Sequence, residues 1–261
     1  MTPTEAPLEV LREGAVATLR FARPAALNAI DVPMAHALLA AVQQLAADPG
    51  VRAVVLCGAG KAFMAGGDLA TLRADPVQGA ADLLGPLNAA VQLLAGLNAP
   101  VIAKVHGAAA GAGLSLMLQA DFVVVAEGTR FNLAYINLGT SCDVGASWAL
   151  PRLVGLRQAL EIALLGETLG SADALRLGLV NRVVPAAHLD EVAGELAARL
   201  AQGPTLAYGA MKRLMRASFE RNLETQLQAE TTAFLGCAAS ADLRAGIEAF
   251  FARQAPEFSG R

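Results

Sequence analysis

A run of small residues near the middle of the chain could bind a negatively charged atom. Seven of the nine residues from Gly107 to Ser115 are glycine or alanine, and the run follows an apolar, strand-like segment at 100–105. Small side chains let another molecule approach the main chain closely, and the first turn of a helix leaves its N–H groups without partners. Such a site suits a phosphate or an oxygen that becomes anionic during a reaction. Close helix packing explains the run equally well, and the run alone does not decide between the two.

The histidines and cysteines do not form a second reactive cluster. Neither set has the spacing of metal ligands, and an odd number of distant cysteines does not indicate a disulfide framework. These residues are His36, His106, His188, Cys57, Cys142 and Cys237. We therefore predict no metal site, no separate cofactor and a reducing, cytoplasmic location.

The composition excludes several classes of protein. Although 55% of the 261 residues are hydrophobic, no stretch offers about 20 apolar residues free of charges, so we predict no membrane span. Residues 1–7 lack a basic region followed by an apolar core, which argues against a secretory signal. The net charge is −3 and aromatic residues make up only 5%, so nucleic-acid binding is not expected.

Apolar runs alternate with helical patterns, which predicts an α/β fold with a parallel sheet and crossover helices. Residues 9–21 are typical of a hairpin, and Asp31 is placed to cap a helix that ends near Ala47. The other predicted strands are 53–57, 100–105, 122–126 and 180–184, and the other main helices are 77–97, 187–201, 204–217, 222–236 and 240–253. We expect an α/β core over residues 1–200 and a helical part over residues 201–261.

Six segments, taken in order, resemble the crotonase (enoyl-CoA hydratase/isomerase) superfamily and cover essentially the whole chain. Two of them read Lys61-Ala-Phe-Met-Ala-Gly-Gly-Asp-Leu69 and Val105-His-Gly-Ala-Ala-Ala-Gly-Ala-Gly113. The others are Arg23-Pro24 with Leu27-Asn28-Ala29, 150–155, 174–180, and 246–250 with 256–258. The resemblance implies a crotonase-like spiral of ββα units that binds acyl-CoA. It also implies a helical C-terminal part that forms a homotrimer or a hexamer (a dimer of trimers) and a pocket lid.

The resemblance assigns the oxyanion hole and the coenzyme A contacts. A thioester enolate would be held by the backbone N–H groups of Gly67 and Ala112, and each such donor is typically worth roughly 10²–10³ in rate. Coenzyme A would contact Asn28, Ala29, Ala65, Asp68, Leu69 and, through a phosphate, Lys61. Two of these residues have simpler explanations, because Lys61 can be a solvated loop charge and Asp68 can be a helix cap.

The chain departs from the hydratases of this family at both catalytic carboxylates. Hydratases use two glutamates to activate water, and Ser115 and Tyr135 stand at those positions. Neither side chain is a base at neutral pH, because a serine hydroxyl does not ionise there and tyrosine titrates near ~10. Ordinary hydration by two glutamates is therefore not expected.

A carboxylate nearby offers a different reaction. The loop from Gly139 to Trp148 contains Asp143 and resembles the acid/base loop of family isomerases such as those acting on ring-opened phenylacetyl-CoA intermediates. One carboxylate suffices for a 3-to-2 double-bond shift, because it removes a proton from C2 and returns one at C4. We expect Cys142, Val144 and Trp148 to desolvate Asp143 and raise its pKa. The alternative is that Asp143 caps a helix starting near Val144.

The sequence therefore predicts an acyl-CoA-processing enzyme, with isomerisation by Asp143 favoured. Ser115, Tyr135 and Trp148 are expected to line the substrate pocket. Two alternatives remain: an atypical hydratase, and a catalytically inactive protein that still binds acyl-CoA.

Overall fold

The computed structural model describes residues 6–261 and contains two β-sheets surrounded by helices. The prediction that the chain starts without a secretory signal falls mainly on residues 1–5, which lie outside the described residues. None of the helices within residues 6–261 is both long enough and apolar enough to cross a membrane.

The larger sheet has six strands in the order β1-β2-β3-β4-β6-β9, and the smaller has three in the order β5-β7-β8. Only β1 runs antiparallel in the larger sheet. The strands are β1 (Leu8–Glu13), β2 (Val16–Phe21), β3 (Ala53–Gly58), β4 (Val101–Val105), β5 (Ala108–Ala110), β6 (Phe122–Ala126), β7 (Arg130–Asn132), β8 (Leu169–Gly170) and β9 (Arg182–Val184).

Eleven α-helices are present in the described part of the chain. They are α1 (Val32–Ala47), α2 (Leu69–Ala74), α3 (Pro76–Gly96), α4 (Ala112–Met117), α5 (Ala146–Val154), α6 (Leu156–Leu165), α7 (Ser171–Arg176), α8 (Leu189–Ala201), α9 (Thr205–Ala217), α10 (Leu223–Ala238) and α11 (Ala241–Ala252). The predicted hairpin and the α1 cap are confirmed, because β1 pairs with β2 and the Met34 N–H donates to the Asp31 carboxylate at 2.9 Å.

The predicted spiral of ββα units is visible in how the two sheets are connected. β4 lies in the larger sheet, β5 lies in the smaller sheet, and α4 follows; β6 and β7 repeat the two strand positions. β3 makes a similar turn, because Met64 forms a single parallel bridge to Ala109 of β5 before α2 begins. The smaller sheet was missed by the sequence reasoning, since its strands are only two or three residues long.

Parallel strands in the middle of the larger sheet are covered on both faces, which explains their continuous apolar sequence. Five of the six residues of β3 are buried. One face packs in the main core, where Phe21 and Phe63 meet edge to face with ring centroids 5.7 Å apart. The other face packs against α8 through Leu196 and Leu200. The sheet therefore holds the loops that follow β3 and β4 on a rigid base.

The last residues of the chain return to the α/β core. Arg52, at the start of β3, donates to the carbonyl oxygens of Gly203 and Phe258 at 2.6 and 2.9 Å. Asp242 of α11 is 4% exposed and accepts the N–H groups of Ser259 and Gly260. The predicted division at residue 200 stays a prediction, and these contacts tie the two sides of it together.

The C-terminal helices carry large apolar side chains on their outer surface. Met215, Phe234, Phe250 and Phe251 are each more than 60% exposed. Exposed large apolar side chains are common at subunit interfaces. The trimer or hexamer nevertheless stays a prediction.

A close contact between α4 and the loop after β3 gives a stability prediction. A Cβ added at Gly113 would lie 2.5 Å from the carbonyl oxygen of Met64, and the main chain there has no room to move. We expect Gly113→Ala to lower the free energy of unfolding by about 1–3 kcal/mol, measured by urea denaturation.

The matched control is Gly194→Ala in the middle of α8, where a Cβ would meet nothing within 4 Å. This change should raise the free energy of unfolding by about 0.5–1 kcal/mol, because alanine favours the helix. Equal effects of the two substitutions would contradict the packing described here.

Candidate active site

Two glycine-containing bends lie against each other where β3 and β4 end. The Met64 N–H donates to the Ala108 carbonyl at 3.1 Å, and the Ala110 N–H donates to the Met64 carbonyl at 2.9 Å. A Cβ built on Gly66 would lie 3.1 Å from the Ala110 oxygen and 3.5 Å from the Ala112 nitrogen. Gly66 also has a φ of 109°, a conformation that residues with a side chain rarely adopt. The two bends can approach this closely because neither carries a side chain between them.

Among residues 6–261, the N–H groups of Gly67 and Ala112 belong to the free donors of these bends, together with that of Gly66. None of these three N–H groups has an acceptor within that range, whereas the Asp68 N–H donates to Ile30 at 2.8 Å and the Gly111 N–H donates to Asn132 at 2.9 Å. A Cβ on Gly67 would meet nothing within 4 Å, so its bend borders open space. Because α4 has only six residues, these N–H groups matter more than a helix dipole. That the N–H groups of Gly67 and Ala112 hold one anionic oxygen between them stays a prediction.

A chain of hydrogen bonds connects the Gly111–Ala112 bend to Asp143. Ser115 lies one turn along α4, and its Oγ is 3.2 Å from the carbonyl oxygen of Gly111. The same Oγ is 2.9 Å from the Tyr135 hydroxyl, which in turn donates to Oδ1 of Asp143. Ser115 is fully buried and contacts Asp143 through Tyr135, and its place in the substrate pocket stays a prediction.

Asp143 is not a helix cap. α5 begins at Ala146 after Gly145, and no side chain caps its first turn. Asp143 is half-buried, and its carboxylate faces Tyr135 instead. The alternative that it caps a helix starting at Val144 is therefore wrong.

Burial is the main cause of the altered ionisation at this site. Desolvation raises the pKa of the Asp143 carboxyl above its usual range, and the hydrogen bond from Tyr135 opposes that rise. Desolvation and the charge of Asp143 both raise the pKa of the Tyr135 hydroxyl, which stays protonated at neutral pH and acts as a donor. A carboxylate of raised pKa is suited to exchanging a proton with a weak carbon acid.

The backbone around this pair is held in an uncommon conformation. Ala134 and Val144, which flank Tyr135 and Asp143, have φ values of 59° and 51°. For a β-branched residue such as Val144 this conformation is strained, so the surrounding contacts must hold it in place. One such contact comes from Gln119, which is 5% exposed and donates to the carbonyl oxygens of Ser115 (3.4 Å) and Val144 (3.3 Å).

Gln119 was missed by the sequence reasoning. The available signal was a glutamine four residues after Ser115 in an apolar stretch. A buried amide normally has to find partners, and here both partners belong to the site.

Several of the predicted coenzyme A residues already have hydrogen-bond partners within the protein. The Asn28 side chain is fully buried and donates to the carbonyl oxygens of Ala59 and Ala62, both at 2.8 Å. The N–H groups of Ala29 and Ala65 donate to Ala26 and Leu27. A contact with the nucleotide at these positions would therefore use carbonyl oxygens, and the side chain of Asn28 supports the loop instead.

Asp68, Leu69 and Lys61 complete the predicted set. The Asp68 carboxylate caps α2 by accepting the Ala70 N–H at 3.1 Å, and it pairs with Arg23 at 2.9 Å. The expectation that Asp68 can serve as a helix cap is therefore confirmed. Leu69 and Lys61 are exposed. Lys61 remains a candidate partner for a phosphate.

Trp148 lies apart from this group. Its indole N–H faces Glu220 at 3.4 Å, and the guanidinium of Arg152 stacks 4.2 Å from its ring centroid. It lines a cavity of about 440 Å³ next to α9, and the residues around that cavity include neither Asp143 nor Tyr135. That Trp148 shares a pocket with Asp143 and desolvates it stays a prediction, and its ring contacts Arg152 and Glu220.

Known proteins are similar to this chain over nearly its whole length. The sequence matches the family model described as Enoyl-CoA hydratase/isomerase over residues 12–261. It is 37% identical over 253 residues to a 1,2-epoxyphenylacetyl-CoA isomerase of Escherichia coli K12, covering 95% of this chain and 97% of that protein. It is 30% identical over 259 residues to a trans-2-decenoyl-acyl-carrier-protein isomerase of Streptococcus mutans, covering 95% and 96%.

The fold agrees with these relatives. The crystal structure of an enoyl-CoA hydratase from Mycobacterium smegmatis superposes with a TM-score of 0.91 at 35% identity, covering 97% of this chain and 99% of that one. Relatives of this family therefore carry both isomerase and hydratase names. The chain belongs to the enoyl-CoA hydratase/isomerase family, the crotonase superfamily.

Proposed function

We propose that this protein is an enoyl-CoA isomerase that shifts a double bond from position 3 to position 2 of an acyl-CoA thioester. The observation that carries the proposal is a single half-buried carboxylate, Asp143, joined by hydrogen bonds to the helix whose first N–H would hold the thioester oxygen. No second carboxylate belongs to this group among the described residues.

The reaction needs one base and one oxyanion hole. The Asp143 carboxylate takes a proton from C2, and the electrons of that C–H bond move toward the thioester carbonyl to form a dienolate. The N–H groups of Gly67 and Ala112 stabilise the negative oxygen. The same carboxyl group then gives its proton to C4, the electrons return, and the double bond is left between C2 and C3.

Hydration is the second candidate, and the name of the Mycobacterium smegmatis relative favours it. Water addition needs one group to activate water and another to protonate the substrate. Ser115 and Tyr135 occupy the glutamate positions, and the raised pKa of Tyr135 keeps it from acting as a base. The third candidate is an inactive protein that only binds acyl-CoA. The presence of Asp143, a carboxylate that can act as a base, argues against it.

The proposed reaction also implies a substrate, a coenzyme A site and an oligomer. The thioester is the substrate, no separate cofactor takes part, and the coenzyme A moiety lies near Asn28, Ala29, Lys61, Ala65, Asp68 and Leu69. The exposed apolar faces of the C-terminal helices support a homotrimer or hexamer.

Loss of the Asp143 carboxylate should slow the isomerisation. Asp143→Asn and Asp143→Ala should each lower the turnover of 3-enoyl-CoA by about 10²–10⁴-fold, because a positioned general base contributes that much. In the unchanged protein, hydrogen–deuterium exchange at C2 of a saturated acyl-CoA should rise with pH through the raised pKa of Asp143.

Asp82→Asn is the matched control, because Asp82 lies exposed on α3 and accepts only from Gln78. It should leave turnover unchanged. Wild-type turnover in both Asp143 variants would remove Asp143 from the mechanism. Water addition to 2-enoyl-CoA that is faster than isomerisation would favour the hydratase, and binding without C2 exchange would favour the inactive protein.

A further prediction concerns stability and pH. A carboxyl group whose pKa is raised by folding stabilises the folded state below its unfolded pKa of ~3.9, and that contribution is lost as pH rises through the folded pKa. The ionised Asp143 therefore costs stability at neutral pH. Asp143→Asn should be more stable than the wild type at pH 7, and this advantage should shrink as pH falls below the folded pKa. Urea denaturation at several pH values measures it, and a constant difference would contradict the buried carboxylate.

A further inference from the structure

The carbonyl of Gly111 and the N–H of Ala112 belong to one peptide group. The carbonyl faces Ser115, whose Oγ is 3.2 Å away, and the N–H is one of the two donors of the oxyanion hole. A hydrogen bond to the oxygen of a peptide group polarises it and strengthens the N–H at its other end. Ser115 can therefore change how strongly Ala112 binds an anionic oxygen.

Ser115 has one hydroxyl hydrogen and two acceptors within reach. It can donate to the Gly111 carbonyl at 3.2 Å or to the Tyr135 hydroxyl oxygen at 2.9 Å. It cannot donate well to both at once. The choice depends on where the hydroxyl hydrogen of Tyr135 points, and therefore on Asp143.

The charge of Asp143 sets the direction of the chain. An ionised carboxylate only accepts, so Tyr135 donates to it and its own oxygen is left to accept from Ser115. Protonation of Asp143 removes the charge that holds this direction. With the proton on Oδ1, Asp143 donates to Tyr135, Tyr135 donates to Ser115, and Ser115 donates to Gly111.

We propose that Ser115 and Tyr135 are positioning residues that couple proton uptake by Asp143 to the strength of the Ala112 N–H donor. The idea rests on the proposed function. We call the hydrogen-bond chain from Asp143 through Tyr135 and Ser115 to the Gly111 carbonyl the relay. When Asp143 takes the C2 proton, the thioester oxygen becomes negative. At the same step, the relay strengthens the Ala112 N–H as a donor to that oxygen. When Asp143 gives the proton to C4, the negative charge on the thioester oxygen disappears. Asp143 is ionised again, and the hydroxyl groups of Tyr135 and Ser115 rotate back to their first direction. The O–H bonds of Ser115 and Tyr135 stay intact, and these groups only rotate. The one proton that is transferred moves between Asp143 and the substrate carbon.

The surroundings favour control by Asp143 alone. The elements packed around it present Tyr135 from the turn after β7, Ser115 from α4 and Gln119 from the turn that follows α4. Tyr135 is the ionisable group that faces Asp143, and the other two side chains carry no charge. Gln119 bonds to main-chain oxygens and leaves the hydroxyl chain free.

The test measures the polarisation of a bound carbonyl. Butyryl-CoA labelled with ¹³C at the thioester carbonyl is bound to the full-length protein, and its C=O stretch is followed by isotope-edited infrared spectroscopy. Spectra are taken above and below the midpoint of the C2 exchange profile. In the wild type, the stretch should move to lower frequency below the midpoint, where Asp143 is protonated.

Ser115→Ala and Tyr135→Phe should each remove this pH-dependent shift. Ser115→Ala should also lower kcat about fivefold with little change in KM, because one polarising bond is lost while the oxyanion hole remains. Ser147→Ala, which removes an exposed hydroxyl on α5, should keep the full shift. A merely structural role for Ser115 could lower kcat, but it would leave the shift in place.

The outcomes separate this proposal from the proposed function. C2 exchange in the wild type with a stretch that does not respond to pH would overturn the relay and leave the isomerase mechanism intact. A shift that persists in Ser115→Ala would also overturn the relay. Absence of C2 exchange in the wild type would contradict the proposed function, and the relay with it.

Discussion

The contact between two stretches of bare main chain is the constraint on which this site depends. A Cβ on Gly66 would lie 3.1 Å from the Ala110 oxygen, and a Cβ on Gly111 would touch the Gly66 Cα at 3.6 Å. Backbone bonds of Met64 to Ala108 and Ala110 fix the bends in register. Because the proposed donors are backbone N–H groups on a sheet-supported scaffold, they would need little reorganisation when an oxygen becomes negative. The alanine at position 112 does not weaken this arrangement, since its N–H is retained.

The second constraint is the partial burial of one carboxylate. Burial raises the pKa of Asp143, so the ionised carboxylate costs stability. The hydrogen bond from the Tyr135 hydroxyl orients the carboxylate and offsets part of that cost. The left-handed backbone at Val144 is a further sign that the loop is shaped for the position of this group rather than for its own stability. Proteins commonly accept such costs where a group must exchange protons near neutral pH.

The sequence predicted the features that depend on local pattern. The hairpin, the α1 cap at Asp31 and the buried parallel strands follow from turn residues and apolar runs, and the family follows from the order of the loop motifs. The small sheet was missed because its strands are too short to show a period. The contacts of Ser115 with Tyr135 and of Trp148 with Glu220 could not be predicted for a different reason: they depend on packing partners distant in sequence. The sequence showed Gln119 as a polar residue in an apolar stretch, but its hydrogen bond to the Val144 carbonyl depends on packing that the sequence does not show.

The most direct test of the account is a crystal structure with a bound acyl-CoA. We predict that the thioester oxygen lies about 3 Å from the nitrogens of both Gly67 and Ala112, the distance of a hydrogen bond. The Asp143 carboxylate should lie within about 3.2 Å of C2 or C4 of the acyl group. A thioester oxygen bound away from these two nitrogens, or an Asp143 that does not reach the acyl chain, would contradict the mechanism.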